Sequence, residues 1–166
     1  MKKFIIMMLL SIIVIATSSA QGVKLMKNWD NFEVQTVQVG SNGTKFIKVW
    51  GYGRNVKKAM IQAKKNAIYA CIVRGLPSSS TAMETPALCK DNKILEDNDD
   101  YFRKFFADGG DFIRYANMTT DETPSGTDMR KVKGGFKIAL YVQVMYDNLR
   151  KRLEEDKIIR GMNTGF

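Results

Sequence analysis

Residues 136–145 alternate without a break, with Phe136, Ile138, Leu140, Val142 and Val144 on one side and Lys137, Ala139, Tyr141, Gln143 and Met145 on the other. This period of two predicts a strand with one buried face and one more polar face. Residues 32–39 are rich in Val and Thr, but their alternation changes phase between Val34 and Val37, which predicts a bulge. Gly40-Ser41-Asn42-Gly43 then predicts a hairpin turn, because Asn-Gly readily takes positive φ at both central positions. Residues 44–52 return as a second strand. One of its faces carries Ile47, Val49 and Gly51, and the other carries Phe46, Lys48, Trp50 and Tyr52. Residues 112–118 supply the remaining strand.

The period changes between Asn55, a good N-cap, and Gly75 followed by Pro77, a good stop. At 100° per residue, Val56, Ala59, Met60, Ala63, Ala67, Ala70 and Cys71 fall on one arc of the predicted helix. Small side chains there let the axis lie close to a sheet. Ile61, Ile68 and Ile72 form a second stripe nearly opposite, edged by Lys57 and Lys64 on one side and Lys58 and Lys65 on the other. A helix with two apolar faces needs two partners. Within the chain, the covers available to the isoleucines are Tyr101, Phe102, Phe105 and Phe106 of a short predicted helix at 97–107, and Leu149 and Leu153 of a final helix at 148–155 capped by Asp147. If neither covers them, the stripe is an apolar patch with a basic rim, the mark of a protein or membrane contact. Residues 76–93 and 119–130 lack periodicity and are expected to be loops. The pattern therefore predicts an α+β fold, with an antiparallel sheet of about four strands, one main packed helix and two shorter helices.

The N-terminus changes the compartment. Lys2 and Lys3 precede a nearly unbroken apolar run over residues 4–16, and Ser18 and Ala20 are the small residues that signal peptidase requires. The run is shorter than the roughly twenty residues that cross a bilayer. The expected organisation is a signal peptide at 1–20, a mobile segment at 21–31, one α+β domain at 32–160 and a tail at 161–166. Cleavage leaves 24 basic against 17 acidic side chains, a net +7. The protein is thus expected to be exported and not transmembrane after cleavage. A basic exported protein favours anionic neighbours such as glycans or lipid headgroups.

Composition also narrows the chemistry. There is no His, which removes Ser-His and Cys-His pairs and imidazole metal ligands. No pair of carboxylates forms a recognisable hydrolytic constellation, so no catalytic residue, metal ligand or cofactor site is assigned. Only Cys71 and Cys89 are present. An oxidising compartment allows one disulfide, whereas the place of Cys71 on the apolar arc favours two free thiols; the pairing stays open. Gly51-Tyr52-Gly53 lacks the third glycine of a dinucleotide fingerprint, where Val56 stands, and is better explained by a tight strand-to-helix turn against the alanine arc. The 96–100 acidic run has Tyr101 and Phe102 where a calcium loop needs a ligand and a glycine, so it is expected to be a solvated helix start. Lys133-Gly134-Gly135-Phe136 has an RNA-binding look, but the element order is wrong for that fold, and no nucleic-acid partner is expected. The strip of Phe46, Lys48, Trp50 and Tyr52 is a candidate for stacking sugars or an aromatic partner. The plainer explanation is a second small core beneath one of the shorter helices.

Lys48-Val49-Trp50-Gly51-Tyr52-Gly53, running into a helix with Ala59, Ala63, Ala67 and Ala70, resembles LPP20-family envelope proteins. It is also similar to the N-terminal domain of the flagellar H-ring protein. Together with the later alternating strand and the helix at 148–155, the resemblance spans about 45 to 155. It implies a compact α+β fold in the periplasm or at the outer membrane of a Gram-negative bacterium, with a scaffold or protein-interaction role and no catalytic residues. The chain departs from the lipoprotein members in lacking the lipobox cysteine, since Gln21 follows Ala20, so direct lipid anchoring is not expected. The expected function is a non-enzymatic envelope interaction module; the alternative is a binder of anionic glycan or lipid headgroups. The candidate contact residues are Ile61, Ile68, Ile72, Phe46, Trp50, Tyr52 and Lys48.

Overall fold

The longest alternating segment becomes the central strand. The computed structural model describes residues 32–161 apart from residues 92 and 121; the expected signal, the 21–31 segment and most of the tail lie outside the described residues. Strands β1 (Val34–Val39) and β2 (Thr44–Gly53) form the hairpin. Asn42 and Gly43 take φ of 55° and 64°, as an Asn-Gly turn requires. The register slips between Thr36 and Gln38, so the expected bulge falls at Val37. Helix α1 (Val56–Tyr69) follows and passes into a π-helical turn, Ala70–Arg74. The Asn55 side-chain oxygen accepts from the Lys58 amide at 2.9 Å, as a capping residue should.

Two short helices, α2 (Ile94–Asp97) and α3 (Asp99–Phe105), stand where one helix at 97–107 was expected. The break is at Asn98, whose φ of −121° and ψ of 36° are not helical. A 3₁₀ turn (Asp111–Tyr115) precedes β3 (Ala116–Met118), so the strand expected at 112–118 keeps only its last three residues. The loop expected at 119–130 is corrected as well, since β4 (Met129–Val132) begins within it. Strand β5 (Gly135–Met145) and helix α4 (Tyr146–Glu155) complete the order. Asp147 lies in the first turn of α4; Met145 holds the cap position, with no side-chain capping bond.

The result is α+β, with an antiparallel sheet in the order β1-β2-β5-β3, and β4 pairing with β5 as well. β2 runs along the whole of β5, from Thr44 opposite Met145 to Gly53 opposite Phe136. β3 pairs with residues 142–144 and β4 with residues 135–138. Helix α1 lies across β2 and β5. Ile47 and Val49 of β2, Ile138, Leu140, Val142 and Val144 of β5, and Ala59, Ala63, Ala67, Ala70 and Cys71 are all buried.

The closeness of this packing explains Gly51 and Gly53. A Cβ on Gly51 would lie within 3.0 Å of Ala63 N, Ala59 O and Ala63 Cα. One on Gly53 would lie equally close to Ala59 N. The helix thus rests on strand backbone, which only glycine below and alanine above allow. The buried Asn66 adds a polar tie, its amide donating to Trp50 O at 2.8 Å.

Candidate interaction site

The three isoleucines expected on one stripe have different fates. Ile68 and Ile72 are fully buried, so neither contributes to an exposed patch, and both drop out as contact residues. Part of their surroundings is the stretch after the 76–85 loop. It returns along the end of the helix, with Leu88 N donating to Cys71 O and Cys89 N to Ile72 O at 2.9 and 2.8 Å. Ile61, two turns earlier, is only half-buried. It lies in a cleft of about 180 Å³ with Met60 of α1 and with Phe112, Ile113 and Met118 from the 3₁₀ turn and β3. The ring of Phe106, just after α3, reaches this region through Phe112, with centroids 6.0 Å apart.

Lys57 and Lys64 also line this cleft. Their spacing from Ile61 puts all three on one face of α1. Neither lysine has an ion-pair partner among the described residues. Lys65, one residue on, behaves differently: it is buried, binds Asp108 at 2.7 Å and lies 5.6 Å from the Phe112 ring centroid. Hydrogen bonding from Lys65 holds the Asp108 carboxyl below its ordinary value. Of the four lysines edging the stripe, Lys65 is neutralised, and Lys57 and Lys64 stand beside an apolar hollow.

The strip on β2 is built differently. Lys48 pairs with Asp128 at 2.7 Å and lies 5.3 Å from the Trp50 ring and 5.0 Å from the Tyr141 ring. Lys137 pairs with Glu33 and lies 5.8 Å from Trp50 and 5.6 Å from Tyr52. The register accounts for this, because Lys48 is opposite Tyr141 and Tyr52 is opposite Lys137. The Asp128 and Glu33 hydrogen bonds raise the affinity of these two lysines for their protons. Trp50 and Phe46 are half-buried, while Tyr52 and Tyr141 remain exposed. Trp50 packs against lysines, in place of the helix expected to cover it.

Both cysteines are buried and unpaired. Burial pushes the Cys71 thiol up to about 12 and the Cys89 thiol to about 11. Neither is suited to nucleophilic work at neutral pH. Glu96 and Asp97 are the last residues of the single-turn α2, and Asp99 and Asp100 open α3, with Asp99 paired to Arg103. Arg152 of α4 binds Asp156 at 2.5 Å and Asp111 at 3.0 Å, and Tyr101 donates to Asp156 at 2.7 Å. These contacts tie α4 to α3 and to the 3₁₀ turn behind the cleft. Among the described residues no helix is long and apolar enough to cross a membrane.

Ile113 and Met118 were missed by sequence reasoning, since a strand over 112–118 would place these residues differently. The exposure of Ile113 follows from the 3₁₀ turn, which has no period-two signal, while Met118 is half-buried at the end of β3. Comparison with protein-family models, with curated proteins and with solved structures finds no match.

Proposed function

We propose that the chain is a non-enzymatic scaffold or protein-interaction module exported into a Gram-negative envelope, and that it holds another envelope protein through the Ile61 cleft. The observation that carries this reading is the apolar hollow beside two unpartnered lysines. Exposed apolar surface with a polar rim marks interaction sites, and most of the cleft wall is built on packed elements. The signal-like N-terminus supports export, and the resemblance to LPP20-family envelope proteins supports a scaffold role.

The anionic glycan or headgroup reading has weaker support. Lys48 and Lys137 already have carboxylate partners, and Trp50 already has a lysine on either side. A sugar would have to displace those contacts. Tyr52 and Tyr141 are more exposed, but each also has a lysine over its ring.

A photo-activated cross-linker placed at position 113, in the cleft wall, tests the interaction reading in intact cells. Position 39, equally exposed on β1, is the control, with 41% exposure for Ile113 and 45% for Val39. An adduct with a second protein from 113 and none from 39 is expected. No adduct, or the same adducts from both positions, refutes the reading.

A further inference from the structure

The 76–85 loop displays a side chain complementary to the cleft. Met83 is 85% exposed, the highest value for any large apolar residue among those described. The loop that carries it is well tied. Leu76 and Thr85 exchange backbone bonds of 2.8 and 2.9 Å, Ser79 N donates to Ala82 O at 2.8 Å, and the Thr81 hydroxyl donates to Val37 O at 2.6 Å. Met83 is thus held out on a fixed support, which lowers the entropy lost on binding. Glu84 follows it, exposed and without an ion-pair partner among the described residues.

We propose that Met83 of one copy enters the Ile61 cleft of a second copy, with Glu84 meeting Lys57 or Lys64. This uses the same cleft as the proposed function and makes the partner another molecule of this chain. The sizes agree, because a space of about 180 Å³ is close to the roughly 150 Å³ that holds a single benzene ring. It takes one large side chain and is too small for a lipid tail. The charges agree too, with one free carboxylate on the knob and two free ammonium groups beside the hollow.

The contact is head-to-tail. Met83 does not line the cleft of its own chain and is largely exposed, so no chain fills its own cleft. A heterologous contact of this kind closes into a ring or extends as an open chain. An interface this small belongs with weak encounters, so association is sought at about 0.1 to 1 mM protein. The net charge of +7 left after cleavage, 24 basic against 17 acidic side chains, makes copies repel at long range, and salt at 0.15 M screens this over about 8 Å.

Sedimentation velocity at that salt concentration, on protein purified from cells expressing the full chain, is the test. The wild type is expected to grow beyond a dimer as its concentration rises. M83D and I61D, each with an unchanged circular dichroism spectrum, are each expected to stay monomeric, and M83L to associate within threefold of the wild type. An equal mixture of M83D and I61D has one intact hollow and one intact knob, so it is expected to form a one-to-one dimer and nothing larger. A monomeric wild type at 1 mM, undiminished association of M83D, or failure of the mixture to form a dimer overturns the proposal. If the wild type is monomeric while position 113 still captures a different envelope protein, self-docking fails and the proposed function stands.

Discussion

Gly51→Ala adds one methyl group at the closest point between α1 and the sheet. The new Cβ would lie 2.8 Å from Ala63 Cα and closer still to Ala63 N and Ala59 O. Ordinary carbon separations are about 3.5–4.0 Å, so the helix must retreat by roughly 1 Å. It cannot simply tilt, because Gly53 holds it equally closely one repeat further along the strand. Overpacking costs typically 1–3 kcal/mol, and the opposing atoms are backbone, which places this site near the upper end, about 3 kcal/mol. Removing a strand glycine returns about 0.5–1 kcal/mol, which leaves a net loss of about 2 kcal/mol. For a domain of this size, that lowers the melting temperature by roughly 6–10 °C. Urea and thermal unfolding followed by far-ultraviolet circular dichroism measure it. Gly161→Ala is the control, because its Cβ would meet only Glu154 Oε2, at 3.9 Å. Ala63→Leu probes the same contact from the helix side and is expected to cost about 1–3 kcal/mol. If Gly51→Ala unfolds within 0.5 kcal/mol of the wild type by this about 2 kcal/mol estimate, α1 is not seated on the strand backbone and the account of the Gly-x-Gly pair is wrong.

The thiols give a chemical check. Denaturation without reductant is expected to release two titratable thiols, and the folded protein to react slowly at pH 8, because burial raises both Cys71 and Cys89; a count of zero would mean a disulfide. The Lys65–Asp108 pair gives a pH check. A carboxyl held below its ordinary value of 3.8 adds stability above that value, and the contribution disappears as pH falls through the folded value. Asp108 is largely exposed, so Asp108→Asn is expected to cost only about 0.5–1 kcal/mol between pH 5 and 8, with the gap to the wild type closing below pH 4. A gap that persists at pH 2 would assign the loss to something other than the ion pair.

Much of the framework was legible because it is local. The phase change before Val37, the Asn42-Gly43 turn, the Asn55 cap and the alanine arc are each written within a few residues, and each appears in the structure. What failed to show was decided by distant pairing. Met129–Val132 has no alternation of its own and is a strand because β5 offers it an edge. Phe112 has the composition of a strand, yet residues 111–115 wind into a 3₁₀ turn beside Lys65 and Asp108. The isoleucine stripe runs from the α-helix into the π turn that holds Ile72, and a wheel does not know where its neighbours stop. The 85–89 stretch returns along the last turns of the helix, where Ile72 is buried, and Ile61 remains open. The neutral character of the aromatic strip was equally hidden, since Asp128 and Glu33 lie far from Lys48 and Lys137 in the chain.

The Ile61 cleft is proposed as the place where the partner is held. The most direct test is to repeat the cross-linking from position 113 in an I61D background. Ile61 is half-buried at the surface of α1, so the variant is expected to keep the wild-type spectrum and unfolding midpoint while the adduct falls at least tenfold. An undiminished adduct from correctly folded I61D would contradict the claim.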